Sequence, residues 1–196
     1  MAKSRIVPII LAAGSSERLG YPKPLAMFGA KTALEIAAEN CKGLARPILV
    51  LGCDAKAVKG RVPRGARVIV NEAWRTGQLS SLRRALRLVP KAAPFLIYPV
   101  DQPLLRRSMI QLLARTYGKR PKGKEIVMPV YRGRDGHPVL VAGGFQAEFA
   151  KAKTSREAIY RDRARILRVK VRTRAVVADF GSAESYRACL RRFRRT

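Results

Sequence analysis

The chain is 196 residues long and sets 41 Lys and Arg against 13 Asp and Glu, a formal net charge of +28. Its 47% hydrophobic content supports a packed core and excludes wholesale disorder, and three scattered cysteines, Cys41, Cys53 and Cys189, exclude a CxxC zinc or redox motif and a disulfide-stapled fold. No apolar run approaches the roughly 20 residues that a membrane helix needs, so the composition points to a reducing cytoplasm, no membrane insertion and anionic partners.

The start has the layout of a signal peptide: a basic stretch, an apolar run from Ile6, and small residues after it. Pro8 interrupts the run, which is short for export, and its β-branched residues suit a buried parallel strand ending at a glycine turn. Further strand-like runs follow, so that the set is 5–12, 46–52, 66–70, 94–100 and 125–130, with amphipathic helices predicted over about 31–42, 78–89 and 104–117. In 78–89, Leu79, Leu82, Leu86 and Val89 share one face, while Arg83, Arg84 and Arg87 fall on others. Tyr117–Lys124 reads as a Pro/Gly/Lys-rich loop inside a domain. Strands alternating with helices imply right-handed βαβ units: a single three-layer α/β domain over 1–196, with a mostly parallel sheet and helices on both faces.

Such sheets bind ligands outside the carboxyl ends of their strands, here just after residues 12, 52, 70, 100 and 130. Gly52-Cys53-Asp54 reads as a simple helix start, whereas the other places carry unusual residues. After the first strand, Leu11, Ala12, Ala13 and Gly14 let a ligand approach the backbone, and Ser15 and Ser16 add hydroxyl donors. Arg18 suits a bidentate grip on phosphate, and Lys23 adds a compact charge on the same loop. Neither GxxxxGK[ST] nor GxGxxG is present, which leaves a phosphate cradle of another kind.

The segment Leu11–Leu25, LAAGSSERLGYPKPL, resembles the signature LAAGxSxRMGxPKxL of Rossmann-like nucleotidyltransferases, most of all the molybdenum cofactor cytidylyltransferases. The resemblance implies that the Ala12–Gly14 backbone meets the base and ribose, while Arg18 and Lys23 hold the phosphates. The guanylyl-transferring branch tends to read LAGG and Asp-Lys, where this chain has Ala13 and Pro22-Lys23, so CTP is favoured over GTP.

Asn71-Glu72-Ala73-Trp74-Arg75-Thr76-Gly77-Gln78-Leu79-Ser80-Ser81-Leu82 combines a flexible glycine with hydroxyls near a helix start. It resembles the family block N-x2-W-x2-G-x2-S-S-L, which implies nucleotide contacts from Asn71, Gly77, Ser80 and Ser81; Trp74 reads as a structural residue at the pocket edge. Asp101, at the end of a strand and before Gln102-Pro103, is well placed for Mg²⁺, or else for capping the next helix. It matches the family D-x-P. The only histidine lies in Gly136-His137-Pro138, which resembles the G-H-P block flanking the acceptor site and implies a shaping or acceptor-contact role.

The match weakens toward the end. Val177–Tyr186 resembles LDIDTPEDY, with Asp179 at the first Asp, but Gly181 stands where the second Asp commonly completes the metal site. The GDxGAR segment is absent, and Lys153–Glu157 occupies roughly its place. The nucleotide half, about 1–103, therefore matches better than the acceptor half, about 104–196.

The resulting expectation is Mg²⁺-dependent transfer of a nucleoside monophosphate, with CTP as leading donor, to a phosphate-bearing acceptor. A molybdopterin-type cofactor leads and a sugar phosphate comes next. Arg18, Lys23 and Asp101 carry the catalysis, with Asp101 and Asp179 on the metal. The alternative of another class is a catalytically weakened basic protein that binds nucleotides or nucleic acid nonspecifically on the same fold. Against it, aromatics are only 7%, sparse for base stacking, and no RRM, KH, HTH or zinc-finger signature is present.

Overall fold

The computed structural model describes residues 5–195. The basic start of the signal-peptide reading, residues 1–4, lies outside them. The elements run β1 (Val7–Ala12), β2 (Met27–Phe28), β3 (Lys31–Thr32), α1 (Ala33–Asn40), β4 (Ile48–Leu51), α2 (Ala55–Lys59), β5 (Arg67–Val70), α3 (Gln78–Leu86), β6 (Phe95–Pro99) and α4 (Arg107–Gly118). There follow β7 (Ile126–Tyr131), β8 (Arg134–Asp135), β9 (Val139–Val141), α5 (Gln146–Lys151), α6 (Ser155–Tyr160), β10 (Ile166–Lys170) and α7 (Ala183–Phe193).

The main sheet has the order β10-β7-β9-β6-β1-β4-β5, with β8 on β7. Pairs β1–β4, β4–β5, β1–β6 and β7–β10 are parallel, and β9 runs antiparallel between β6 and β7. Every residue of β1 is buried, as a strand covered on both faces requires. Alternate side chains feed two cores: Ile10 joins Leu34, Ile110 and Leu113 under α1 and α4, while Ile9 and Leu11 join Leu82, Phe149 and Ile159 under α3, α5 and α6. The three-layer α/β architecture expected from the strand-helix alternation is the one observed.

Several boundaries differ from the sequence expectation. The helix expected from residue 31 begins at Ala33, because Lys31-Thr32 pairs with Met27-Phe28 and Thr32 then caps α1 through a capping box with Glu35. Helix α4 continues to Gly118, so the 117–124 loop is shorter than its composition implies. The short strands β2, β3, β8 and β9 and the elements after residue 142 were not predicted. In the region of the missing GDxGAR segment, Thr154 caps α6 by accepting the Glu157 N–H at 3.0 Å. Among the described residues no helix is long and apolar enough to cross a membrane.

The C-terminal segment is fastened back onto the first half by aromatic packing. Phe28 has ring centroids of Phe180, Tyr186 and Phe193 within 5.2, 5.3 and 5.6 Å. The Tyr186 hydroxyl also donates to the Met27 carbonyl at 2.8 Å. These contacts fix where residues 179–181 lie.

Candidate active site

From β1 the sheet extends through β4 to β5 on one side and through β6 on the other, a switch in topology that opens a crevice at the strands' carboxyl ends. A cavity of about 340 Å³ lies there, walled by Leu11–Ser15, Lys23 and Pro24, the turn around Trp74–Ser81, and Pro99–Asp101. Of the sequence-predicted nucleotide residues, Leu11, Ala12, Ala13, Gly14, Ser15, Lys23, Gly77 and Ser81 line it. Arg18, Asn71 and Ser80 do not.

The first turn is held from beneath. The Lys23 N–H donates to Ser16 Oγ at 2.9 Å, and Ser16 Oγ in turn donates to Asp54 Oδ2 at 3.4 Å. Ser16 is therefore an internal brace of the loop, and Ser15 alone of the two serines lines the cavity. Gly52 corrects the reading of its segment as a plain helix start: a Cβ there would lie 2.4 Å from the Ala13 carbonyl oxygen and 2.8 Å from Trp74 Cβ. The Cys53 N–H donates to that same Ala13 oxygen at 3.1 Å. Only a glycine lets the β1 and β4 turns and the Trp74 turn meet this closely.

Asn71 and Ser80 act one step behind the wall. Asn71 is buried; its amide donates to Ser80 Oγ at 2.8 Å and to Ser81 Oγ at 3.0 Å. Ser80 Oγ donates to the Gly77 carbonyl at 2.8 Å. Gly77 takes φ 105°, a left-handed value that favours glycine, as the chain turns into α3. Trp74 lines the cavity as expected. Arg75, whose guanidinium carbon lies 4.3 Å from the Trp74 ring centroid, also lines it and was missed. Its signal was the Trp-Arg pair itself, since a guanidinium stacked on an indole is held in place.

At the end of β6, Asp101 Oδ2 lies 3.7 Å from Lys23 Nζ, with about a quarter of the carboxylate side chain exposed (27%). Burial pushes the Asp101 carboxyl above its ordinary value, Lys23 works against that, and the charge of Asp179 adds to it. The two carboxylates thus lie within electrostatic reach, and the Phe180 N–H donates to the Asp101 carbonyl at 3.1 Å. Next along the chain, Gly181 lies against Arg18, whose Nη2 would be 3.3 Å from a Cβ at that glycine. Arg18 therefore stands beside the C-terminal segment, apart from the cavity wall that holds Lys23.

The Gly136-His137-Pro138 turn is stitched to the same segment. The His137 N–H donates to the Val176 carbonyl at 2.8 Å, and a Cβ on Gly136 would lie 2.4 Å from that oxygen. The His137–Pro138 peptide is cis. Burial lowers the His137 pKa, while Asp179 pulls it the other way.

Among the described residues no group of three or more His, Cys, Asp or Glu gathers as metal ligands. Asp101 and Asp179 supply two hard oxygen donors. That set fits a divalent ion that keeps water and takes its remaining ligands from substrate phosphates.

The model of the MobA-like NTP transferase domain matches residues 8–173. The chain belongs to the MobA-like NTP transferase family. Its reaction class is accordingly nucleotidyl transfer from a nucleoside triphosphate. Rv0371c from Mycobacterium tuberculosis is 26% identical and superposes with a TM-score of 0.85 over 97% of this chain and 100% of that one. A manganese complex of the same mycobacterial protein is 25% identical, with a TM-score of 0.80 over 97% of this chain and 100% of that one. Molybdopterin-guanine dinucleotide biosynthesis protein A from Archaeoglobus fulgidus shares the fold, at 14% identity and TM-score 0.74 over 97% and 100% of the two chains. No curated protein matches this MobA-like transferase in sequence.

Proposed function

We propose that this transferase moves a nucleoside monophosphate, CMP from CTP ahead of GMP from GTP, onto a phosphate-bearing acceptor. A molybdopterin-type cofactor is the leading acceptor and a sugar phosphate the next. The observation that carries the reading is the crevice at the β1/β6 switch, where a small-residue backbone run, Ser81 and the Lys23–Asp101 pair wall a single cavity.

In this reading the Ala12–Gly14 backbone and the Trp74–Ser81 turn hold the base and ribose, and Lys23 and Arg75 draw in the triphosphate. Arg18, from beside Gly181, approaches the phosphates from the acceptor side. An oxygen of the acceptor phosphate forms a bond to the α-phosphorus as the bond to the β-phosphate oxygen breaks, and pyrophosphate leaves with that electron pair. The attacking oxygen is already anionic, so positioning and charge neutralisation matter more than a strong base. A divalent ion bound by Asp101 and Asp179, Mg²⁺ by the sequence pattern or Mn²⁺ by analogy with the mycobacterial complex, would supply further neutralisation of the triphosphate. His137, kept neutral by burial, contributes shape and contact beside Gly136 and Pro138.

Ala13 favours CTP in the sequence comparison, and its burial against Gly52 leaves the first turn little room to shift for a larger base. The test is pyrophosphate release from CTP, GTP, ATP and UTP with Mg²⁺ or Mn²⁺ and reduced molybdopterin cofactor. Release fastest with CTP, and lost in Lys23→Ala and Asp101→Ala, is the expected result. No turnover with any NTP, together with RNA binding that fades as salt rises, would assign the chain to nonspecific nucleic-acid binding instead.

A further inference from the structure

Behind Asp179 lies a second cavity, of about 310 Å³, that the nucleotide reading does not use. Three arginines from three separate elements meet there: Arg134 from β8, Arg174 from the turn after β10, and Arg192 from α7. None of their guanidinium groups makes an ion pair or side-chain hydrogen bond among the described residues. The acid nearest to Arg134 in sequence is engaged elsewhere. Asp135 accepts from Arg168 Nε at 2.8 Å and from the Tyr160 hydroxyl at 2.8 Å. Three arginines and a single acid, Asp179, therefore line this cavity.

Arg174 and Arg192 also wall a more apolar cleft of about 390 Å³, floored by Leu104, Leu105, Met109 and Ala175. The same two side chains thus front a polar cavity on one side and an apolar one on the other. Asp179 ties the polar cavity to the reaction centre, because its charge acts on both Asp101 and His137.

We propose that Arg134, Arg174 and Arg192 form the docking site of the second substrate, a phosphomonoester whose body lays an aromatic face in the cleft beside Leu105 and Met109, which among the acceptors proposed above favours the pterin over a sugar. The chemistry is that of the arginine fork: several planar donors converging on one small dianion, each able to bind two of its oxygens. The apolar floor discriminates against free phosphate, which has nothing to place there. The proposal rests on the nucleotidyl-transfer reading for its role in the reaction, but the binding it asserts is independent of turnover.

The test uses the whole chain without nucleotide, with phenyl phosphate and inorganic phosphate as probes, by calorimetry and by ³¹P NMR. Phenyl phosphate is expected to bind about tenfold more tightly than inorganic phosphate. Arg134→Gln, Arg174→Gln and Arg192→Gln should each weaken phenyl phosphate at least fivefold, with CTP affinity within twofold of wild type. Lys59→Gln, an exposed change on α2, should alter neither. All three arginines are exposed, so their substitution tests binding in a folded chain, verified by an unchanged melting temperature. Equal binding of the two probes, unchanged binding in the three variants, or loss of CTP affinity in them would overturn the proposal. Displacement of phenyl phosphate by single-stranded RNA at lower concentration than by itself would also overturn it, in favour of a nucleic-acid surface. Absence of pyrophosphate release with intact, arginine-dependent phenyl phosphate binding would instead count against the reaction.

Discussion

Gly181 and Arg18 lie against each other: a Cβ on the glycine would be 3.3 Å from the guanidinium Nη2. The pattern that Val177–Tyr186 resembles places a metal-binding acid at this position, but in this chain an acid side chain would start out against the Arg18 guanidinium and pair with it. Gly181→Asp is expected to draw Arg18 into an internal ion pair and raise the KM for NTP about fivefold. Arg18→Ala should raise it by a similar factor, and the double variant should be no worse than either single one. Steady-state kinetics on the four proteins checks this non-additivity, the mark of residues acting through one contact.

The two glycines of the β1 and β4 turns should respond oppositely to the same change. Gly52→Ala places a methyl 2.4 Å from the Ala13 carbonyl oxygen, so the turns must separate, at about 1–3 kcal/mol of stability by the usual cost of overpacking. A Cβ on Gly14 meets nothing within 4 Å. Gly14→Ala should keep the melting temperature within a degree or two and weaken NTP binding alone, since the new methyl occupies ligand space. Thermal melts with and without CTP separate the two.

Asp101 gives a pH signature in the metal-free protein. Its carboxyl is raised in the folded state, chiefly by burial, so between the unfolded and folded values the native chain binds more protons than the unfolded one. Stability contributed by this group is therefore present at acid pH and lost as pH rises through the folded value. Asp101→Asn should melt above wild type at pH 7 in chelator, and the gap should close below about pH 4, where the group is protonated in both states. The same variant should be inactive in pyrophosphate release. A variant that melts below wild type at pH 7 would contradict the burial argument.

Asn71 holds the hydroxyls of both Ser80 and Ser81 from a buried position. Asn71→Ala removes two hydrogen bonds and leaves a void. It should cost roughly 2–3 kcal/mol in denaturant melts and loosen the turn that carries Gly77. Ser81→Ala removes only one of those two bonds, so it should cost less, about 1 kcal/mol, while lowering NTP affinity, because Ser81 also lines the cavity. The contrast between the two variants distinguishes support of the wall from contact with the ligand.

Much of this architecture was legible in the sequence because its central strands are buried on both faces and read as unbroken apolar runs. Cys41, Cys53 and Cys189 remain free thiols, as their spacing implied. The first turn was legible for a different reason, since small residues and a lysine at fixed intervals serve a backbone that meets a ligand. What escaped depends on contacts between distant segments. Gly52 looks like an ordinary helix start until Ala13 and Trp74 are brought against it. Ser16 and Ser15 are adjacent and chemically identical, and only the fold decides which one faces inward. Strands β8 and β9 are two and three residues long, too short for any periodicity to show. The convergence of Arg134, Arg174 and Arg192 has no linear signature, because each arginine is one of many in a chain rich in them.

Strand β9, lying antiparallel between β6 and β7, has a mechanical consequence. It hydrogen-bonds β6, which ends at Pro99 just before Asp101, on one edge and β7 on the other. The two halves of the chain are thus riveted through a single sheet, and opening them like a clamshell would require tearing a central strand free on one edge. In the proposed reaction, admission and release of both substrates then fall to side chains and short turns at the rim, with the distance between the proposed donor and acceptor sites set once, at folding.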